Sequence, residues 1–177
     1  MVFRNGELVA QDGAMVRDKP PLRRIDLRSS MNAYPDGLDF SIPARGERIR
    51  VIGGRADQVV TEHRIEDARI VDGEAVVDLE RDILKIAVVE RHRASGQIGK
   101  GFIHGFGLKR GAIAGSVAHD HHNLVIIGAD DESMRAAARA VIEMGGGLVA
   151  YDGEQVLATL ALPVAGLMSE EPLEEVR

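Results

Sequence analysis

The stretch "DDESMRAAARAVIEMGGG", residues 130–147, decides the fold class. Asp130 or Asp131 offers a carboxylate to the free N–H groups of a helix start, and acids in the first turn suit the positive end of the helix dipole. Met134, Ala138, Val141 and Ile142 recur at helical spacing and make one apolar stripe. Gly145 to Gly147 stop it. The spacing predicts a helix over about 130–146. On either side the period changes. "NLVIIGA" (123–129) reads as a strand, and "LVAYDGEQVLATLAL" (148–162) reads as a hairpin turning at Asp152-Gly153. A single amphipathic helix set among strands points to a layered α+β domain.

Strand signals continue upstream. "RIRVIGG" (48–54), "QVVTEHRI" (58–65), "ARIV" and "EAVVDL" around Asp72-Gly73, and "ILKIAVVERH" (83–92) are all strand-like. Between them and the helix lies a glycine-dense passage, "SGQIGKGFIHGFGLKRGAIAGSVAH" (95–119). At the N-terminus, short apolar pieces around Asn5-Gly6 and Asp12-Gly13 predict a small β-ribbon over 1–16. Residues 17–37 carry three prolines and many charges and read as a linker, or equally as an ordered surface loop. The domain proper then runs over 38–177, with a short tail that is helical in part. The fold expected is α+β, mainly antiparallel sheet with one dominant helix.

Composition narrows the function. The net charge of −6 and aromatic content of 3% argue against a nucleic-acid partner, which wants a basic stripe and stacking rings. There is no cysteine, so disulfides, thiolate zinc sites and cysteine nucleophiles are all excluded. No apolar run reaches the roughly 18 residues of a membrane helix. Arg4 and Glu7 stand where a secretion signal would have its apolar core. These features lead to the expectation of a cytoplasmic protein with no membrane partner.

Two stretches carry chemistry. "SVAHDHHN" (116–123) holds three of the six histidines. If it continued a strand, His119 and His121 would share one face, with Asp120 and His122 on the other. An H-x-H pair on one face is half a metal site, which makes His119 and His121 weak metal candidates. The other ligands would have to come from afar, with His92, His104, Glu90 or Asp120 as candidates. Glu90-Arg91-His92, at the end of an apolar strand, is able to bind a polar ligand or position a base. Each stretch also has a plain structural reading, as hydrogen-bonding residues or an ion-paired strand end. The glycines of 96–115 form no phosphate loop, because Gly99-Lys100 lacks the hydroxyl residue that should come next. Both stretches end apolar strands, and both concentrate polar groups that a core would not tolerate unpaired, so they are expected to lie close together.

Taken together, "ILKIAVVERH", "GKGFIHGFGLKRGAIAGSVAHDHHNLVIIGADDE" and "IEMGGGLVAYDGEQVLATLALPVAGLMS" resemble the C-terminal domain of bacterial and archaeal adenine deaminase over roughly residues 38–170. The opening "FRNGELVAQDG" resembles the segment of that family that returns from the catalytic barrel to a small β-sandwich, which would make the ribbon a remnant of that sandwich. The second histidine and the asparagine of the family's cluster fall on His122 and Asn123. The position between Asp120 and His122, commonly serine in the family, is His121 here, which weakens a family-wide metal role for His119 and His121.

The resemblance implies a parent enzyme of the amidohydrolase superfamily, used in purine salvage. It converts adenine and water to hypoxanthine and ammonia at a dinuclear Mn or Fe centre in a (β/α)8 barrel. A barrel takes about 250 residues, so this chain has no room for one beside the domain already read. "HDH" is a false match to the barrel's own H-x-H. The implied partners are a catalytic barrel in cis or in trans, adenine through the parent enzyme, and a second copy of the chain. No metal is expected to bind this chain alone, and the isolated chain is expected to be inactive. Glu90, His92, His119, Asp120, His122 and Asn123 are the candidates for residues facing the active site or lying near substrate. Two other readings stand beside this one. The chain is a non-catalytic interaction or regulatory module derived from the enzyme, or a self-contained metal hydrolase using His119, His121 and a distant carboxylate.

Overall fold

A computed structural model describes residues 1–17 and 28–176. Three short strands, β1 (Val2–Arg4), β2 (Glu7–Gln11) and β3 (Ala14–Met15), form an antiparallel sheet of their own. Its turns are Asn5-Gly6 and Asp12-Gly13, with φ of 52° and 81°, then 50° and 79°. Positive φ at both central residues matches the twist of a two-residue hairpin, which is why Asn-Gly and Asp-Gly mark these turns. The predicted ribbon is therefore present, with three strands.

The rest of the chain adds β4 (Arg48–Gly53), β5 (Glu62–Asp67), β6 (Arg69–Val71), β7 (Glu74–Val76), β8 (Ile83–Val89), β9 (Ile98–His104), β10 (Ala112–Gly115) and β11 (Leu124–Gly128). Then come helix α1 (Asp131–Glu143), β12 (Gly147–Tyr151), β13 (Val156–Ala161) and the short α2 (Leu173–Val176). Eight strands form one sheet in the order β13-β12-β10-β11-β8-β9-β4-β5. Its pairs are antiparallel except β4 with β9. β6 and β7 make a separate hairpin. The expected α+β class, mainly antiparallel with one dominant helix, is the class observed. Among the described residues no helix is long and apolar enough to cross a membrane.

Helix α1 links β11 to β12, the two neighbours of β10, and so must cross over β10. Asp130 caps it, Oδ1 accepting from the Ser133 amide at 2.7 Å and Oδ2 from the Ser133 hydroxyl at 2.8 Å. Met134, Ala137, Ala138 and Val141 are buried against Ala112, Ala114, Leu124, Ile126 and Val149 of the sheet. The approach is close: a Cβ on Gly128 would lie 2.3 Å from Met134 Cγ. Lys85, on the same face, reaches Asp131 at 2.6 Å.

Three strand-level expectations need correction. Residues 58–61 are not strand: β5 begins at Glu62, because its partner β4 ends at Gly53, opposite Glu62. Val59 and Val60, good strand formers without a partner, stay exposed. The glycine-dense passage contains two full strands, β9 and β10. The glycines dilute the local strand signal, while pairing with β8 and β11 supplies the ladder. The histidine cluster is a turn, not a strand end. The proline-rich segment divides too: residues 18–27 lie outside the described residues. Met31 from 28–37 is buried in the main core with Leu38 and Phe40, so this part is packed.

Candidate functional site

β8 and β11 lie side by side, with Val89 opposite Leu124. Residues just after β8 must therefore meet those just before β11. Glu90, Arg91 and His92 come up against residues 117–123, and the two polar stretches converge as their strand positions require.

Arg91 is at the centre, 1% exposed. Its Nε donates to the His122 carbonyl at 2.6 Å, and one terminal nitrogen donates to the Ser30 carbonyl and hydroxyl at 3.1 and 3.2 Å. The other donates to the Ala165 carbonyl at 2.9 Å. The planar fork thus ties three separate segments together. Burial pushes its pKa below the usual arginine value, since the charged form loses water. Gly166 (φ +71°) stands against it: a Cβ there would lie 2.8 Å from the guanidinium. Ser116, fully buried, donates to the Gly166 carbonyl at 2.6 Å and accepts from the Gly147 amide at 2.8 Å. Arg91, Ser116 and Gly166 form the scaffold behind the histidine turn.

Glu90 caps the next turn. Its carboxylate accepts from the amide and hydroxyl of Ser95 at 3.1 and 2.8 Å, and from the amides of Arg93 and His92. These donors, Ser95 first, push its pKa down to about 2. It is a committed anion, unsuited to act as a base near neutral pH.

The histidine turn closes with the His122 amide donating to the Ala118 carbonyl at 2.8 Å. Asp120 and His122 take positive φ of 74° and 49°, so strand alternation does not hold, and His119 and His121 do not share a strand face. His119 Nδ1 sits 2.9 Å from Asp120 Oδ1, and both side chains are more than nine-tenths exposed, at 93% and 92%. His121 Nδ1 accepts from the Asn123 amide at 3.0 Å. His122 Nδ1 faces the Val117 carbonyl at 3.2 Å, and His92 Nε2 faces the His121 carbonyl at 3.0 Å. A ring nitrogen facing a carbonyl must carry the proton, so it has no lone pair for a metal. Asn123 Oδ1 is 3.4 Å from the Arg91 amide.

His104, one of the distant ligand candidates, pairs with Ile83 at the opposite end of β8 and is not brought to the turn. No group of three or more metal-binding side chains comes together among the described residues. His92 and His122 each keep a lone pair on the other ring nitrogen, but no set of ligands converges on them among the described residues, so these residues do not assemble a dinuclear metal site. They make a rigid polar rim that presents His119, Asp120 and His121. Sequence reasoning named the histidines and Glu90 but passed over Ser116 and the supporting role of Arg91. An arginine two residues past the largely apolar β8 was the available signal.

The family described as "Adenine deaminase C-terminal domain" matches residues 58–177. The chain belongs to this family. An adenine deaminase of Desulfatibacillum aliphaticivorans is 49% identical over 99% of this chain and 31% of its own length. One from Methanothrix thermoacetophila is 47% identical, with the same coverage. A third, from Methylobacterium nodulans, is 49% identical over 85% of this chain and 27% of its own length. The adenine deaminase C-terminal domain seen here thus spans less than a third of these curated relatives.

Proposed function

We propose that this domain serves an adenine deaminase, a hydrolase converting adenine and water to hypoxanthine and ammonia, by supporting a catalytic part that lies outside the chain. The carrying observation is the match of essentially the whole chain to adenine deaminases at up to 49% identity. Its own residues argue for a supporting role. Glu90 is held as an anion by four donors, Arg91 and Ser116 are buried in scaffolding, and three of the histidines have a ring nitrogen engaged by backbone. The remaining polar groups, His119 and Asp120, are more than nine-tenths exposed and can face a neighbouring domain. The metal of the parent enzyme, and the activated water it would supply, belong in this reading to the catalytic part. The ribbon over 1–16 would be the sandwich remnant, and the domain over 38–177 would include the packed residues 28–37 of the stretch read as a linker.

The test is hypoxanthine production from adenine with Mn²⁺ or Fe²⁺ supplied. The chain alone is expected to be inactive. Fused behind the residues that precede the matching region in the Desulfatibacillum aliphaticivorans relative, it is expected to give an active protein. Metal-dependent turnover by the chain alone, lost on His119→Ala, would overturn the assignment.

A further inference from the structure

Helix α1 covers one face of β10, β11 and β12. The opposite face is covered towards β8 and β9, where Ile127, Leu84 and Ile103 pack with Leu79, Leu108 and Ile113, and is open around Val125, Leu148 and Leu160. Ile113 pairs with Ile127 and Ala150, Val125 with Gly115, and Leu148 with Leu160, so their side chains point together away from the helix. They line an open apolar groove of about 540 Å³ that runs on to Val117 and Ala118 of the histidine turn. An antiparallel sheet with one wet face alternates apolar and polar residues, whereas these strands are apolar on both sides, the pattern of a sheet covered twice. The helix supplies one cover, and over β10, β12 and β13 the second face stays open among the described residues.

We infer that this face, with the histidine turn at its rim, is the surface on which the rest of an adenine deaminase packs. The inference rests on the function proposed above and names the contact surface. Two occupants compete: a second copy of the chain, or the sequence that makes up the other two thirds of the relatives. Each of the three relatives carries its matching region in one polypeptide with that sequence, the match covering 31% or less of its length. Covalent connection holds the tethered segment at an effective concentration on the order of millimolar. A second copy, present at its own far lower concentration, loses that competition unless it binds much more tightly. The occupant is therefore the preceding part of the family protein, meeting the groove with an apolar surface and the histidine turn with a polar one.

The experiment is hydroxyl-radical labelling read by mass spectrometry, on the chain alone and on its fusion to the preceding residues of the Desulfatibacillum aliphaticivorans relative. Leu148 is 43% exposed in the chain. In the fusion its labelling, with that of Ile113 and Leu160, is expected to fall severalfold. Unchanged labelling of these residues in a fusion that deaminates adenine would overturn the face and leave the proposed function standing. Unchanged labelling in an inactive fusion would overturn both. Labelling of Leu148 that already falls with concentration in the chain alone would assign the face to a second copy and overturn the inference.

Discussion

Arg91 carries a positive charge into the interior, and none of its side-chain hydrogen-bond partners is a carboxylate. Its value lies in the carbonyls it satisfies. Arg91→Ala would strand those of His122, Ser30 and Ala165, at about 1–3 kcal/mol for each buried group left unpaired. We expect a loss of about 3 kcal/mol or more in urea unfolding, with Arg91→Lys recovering little, because an ammonium does not reproduce the planar fork. Glu90 makes a pH prediction. Its folded pKa, about 2, lies below the ordinary value of 4.5, so its stabilising effect is complete above about pH 4.5 and disappears as pH falls toward 2. Glu90→Gln should lower stability at neutral pH, and the gap from the parent protein should close on acidification. A gap that stays constant down to pH 2 would show that the charge of Glu90 contributes nothing.

At the scale of elements, α1 covers one face of β10, β11 and β12, and its first turn depends on Asp130. Replacing this cap with Ala should cost about 1 kcal/mol, within a range of roughly 0.5–2, and Asp130→Asn should cost less, since an amide oxygen still accepts from Ser133. Thermal unfolding followed by circular dichroism checks both. The helix stops at Glu143 rather than 146. Gly145, Gly146 and Gly147 take φ of 77°, 121° and 139°, which a helix does not accommodate. Gly146 is also tightly enclosed, a Cβ there lying 2.4 Å from Gly166 Cα. The glycines therefore end the helix and admit the loop that carries Gly166 to Arg91.

The whole molecule leaves apolar surface at its N-terminal sheet. Val2, Phe3, Met15 and Val16 are all exposed, Phe3 at 61%. Small sheets of this kind have open edges that invite pairing. A second copy would bury such side chains at roughly 1.5–3 kcal/mol each, less the cost of ordering them. We expect the chain alone to associate through this ribbon, and deletion of residues 1–20 to reduce the mass seen by light scattering to that of one chain. An unchanged mass would exclude the ribbon as the contact.

The sequence by itself determined whatever depends on neighbours along the chain. Helix α1 with its Asp130 cap, the hairpin turns at Asn5-Gly6, Asp12-Gly13 and Asp72-Gly73, and the α+β class all come from local periodicity and from residues that tolerate positive φ, while the hairpin read at Asp152-Gly153 turns through the four residues 152–155. The meeting of Glu90–His92 with the histidine turn was also legible, because both place polar groups needing partners beside apolar strands, and Val89 and Leu124 of those strands pair. Only the tertiary structure decided what depends on partners distant in sequence. β9 and β10 exist because β8 and β11 offer them hydrogen bonds, despite their glycines, and Val59 and Val60 stay out of the sheet because β4 has ended. The histidines read as a face pair became a turn once His122 bonded back to Ala118. Arg91 became a tie between Ser30, His122 and Ala165 because folding brings together carbonyls that nothing in the sequence marks as neighbours.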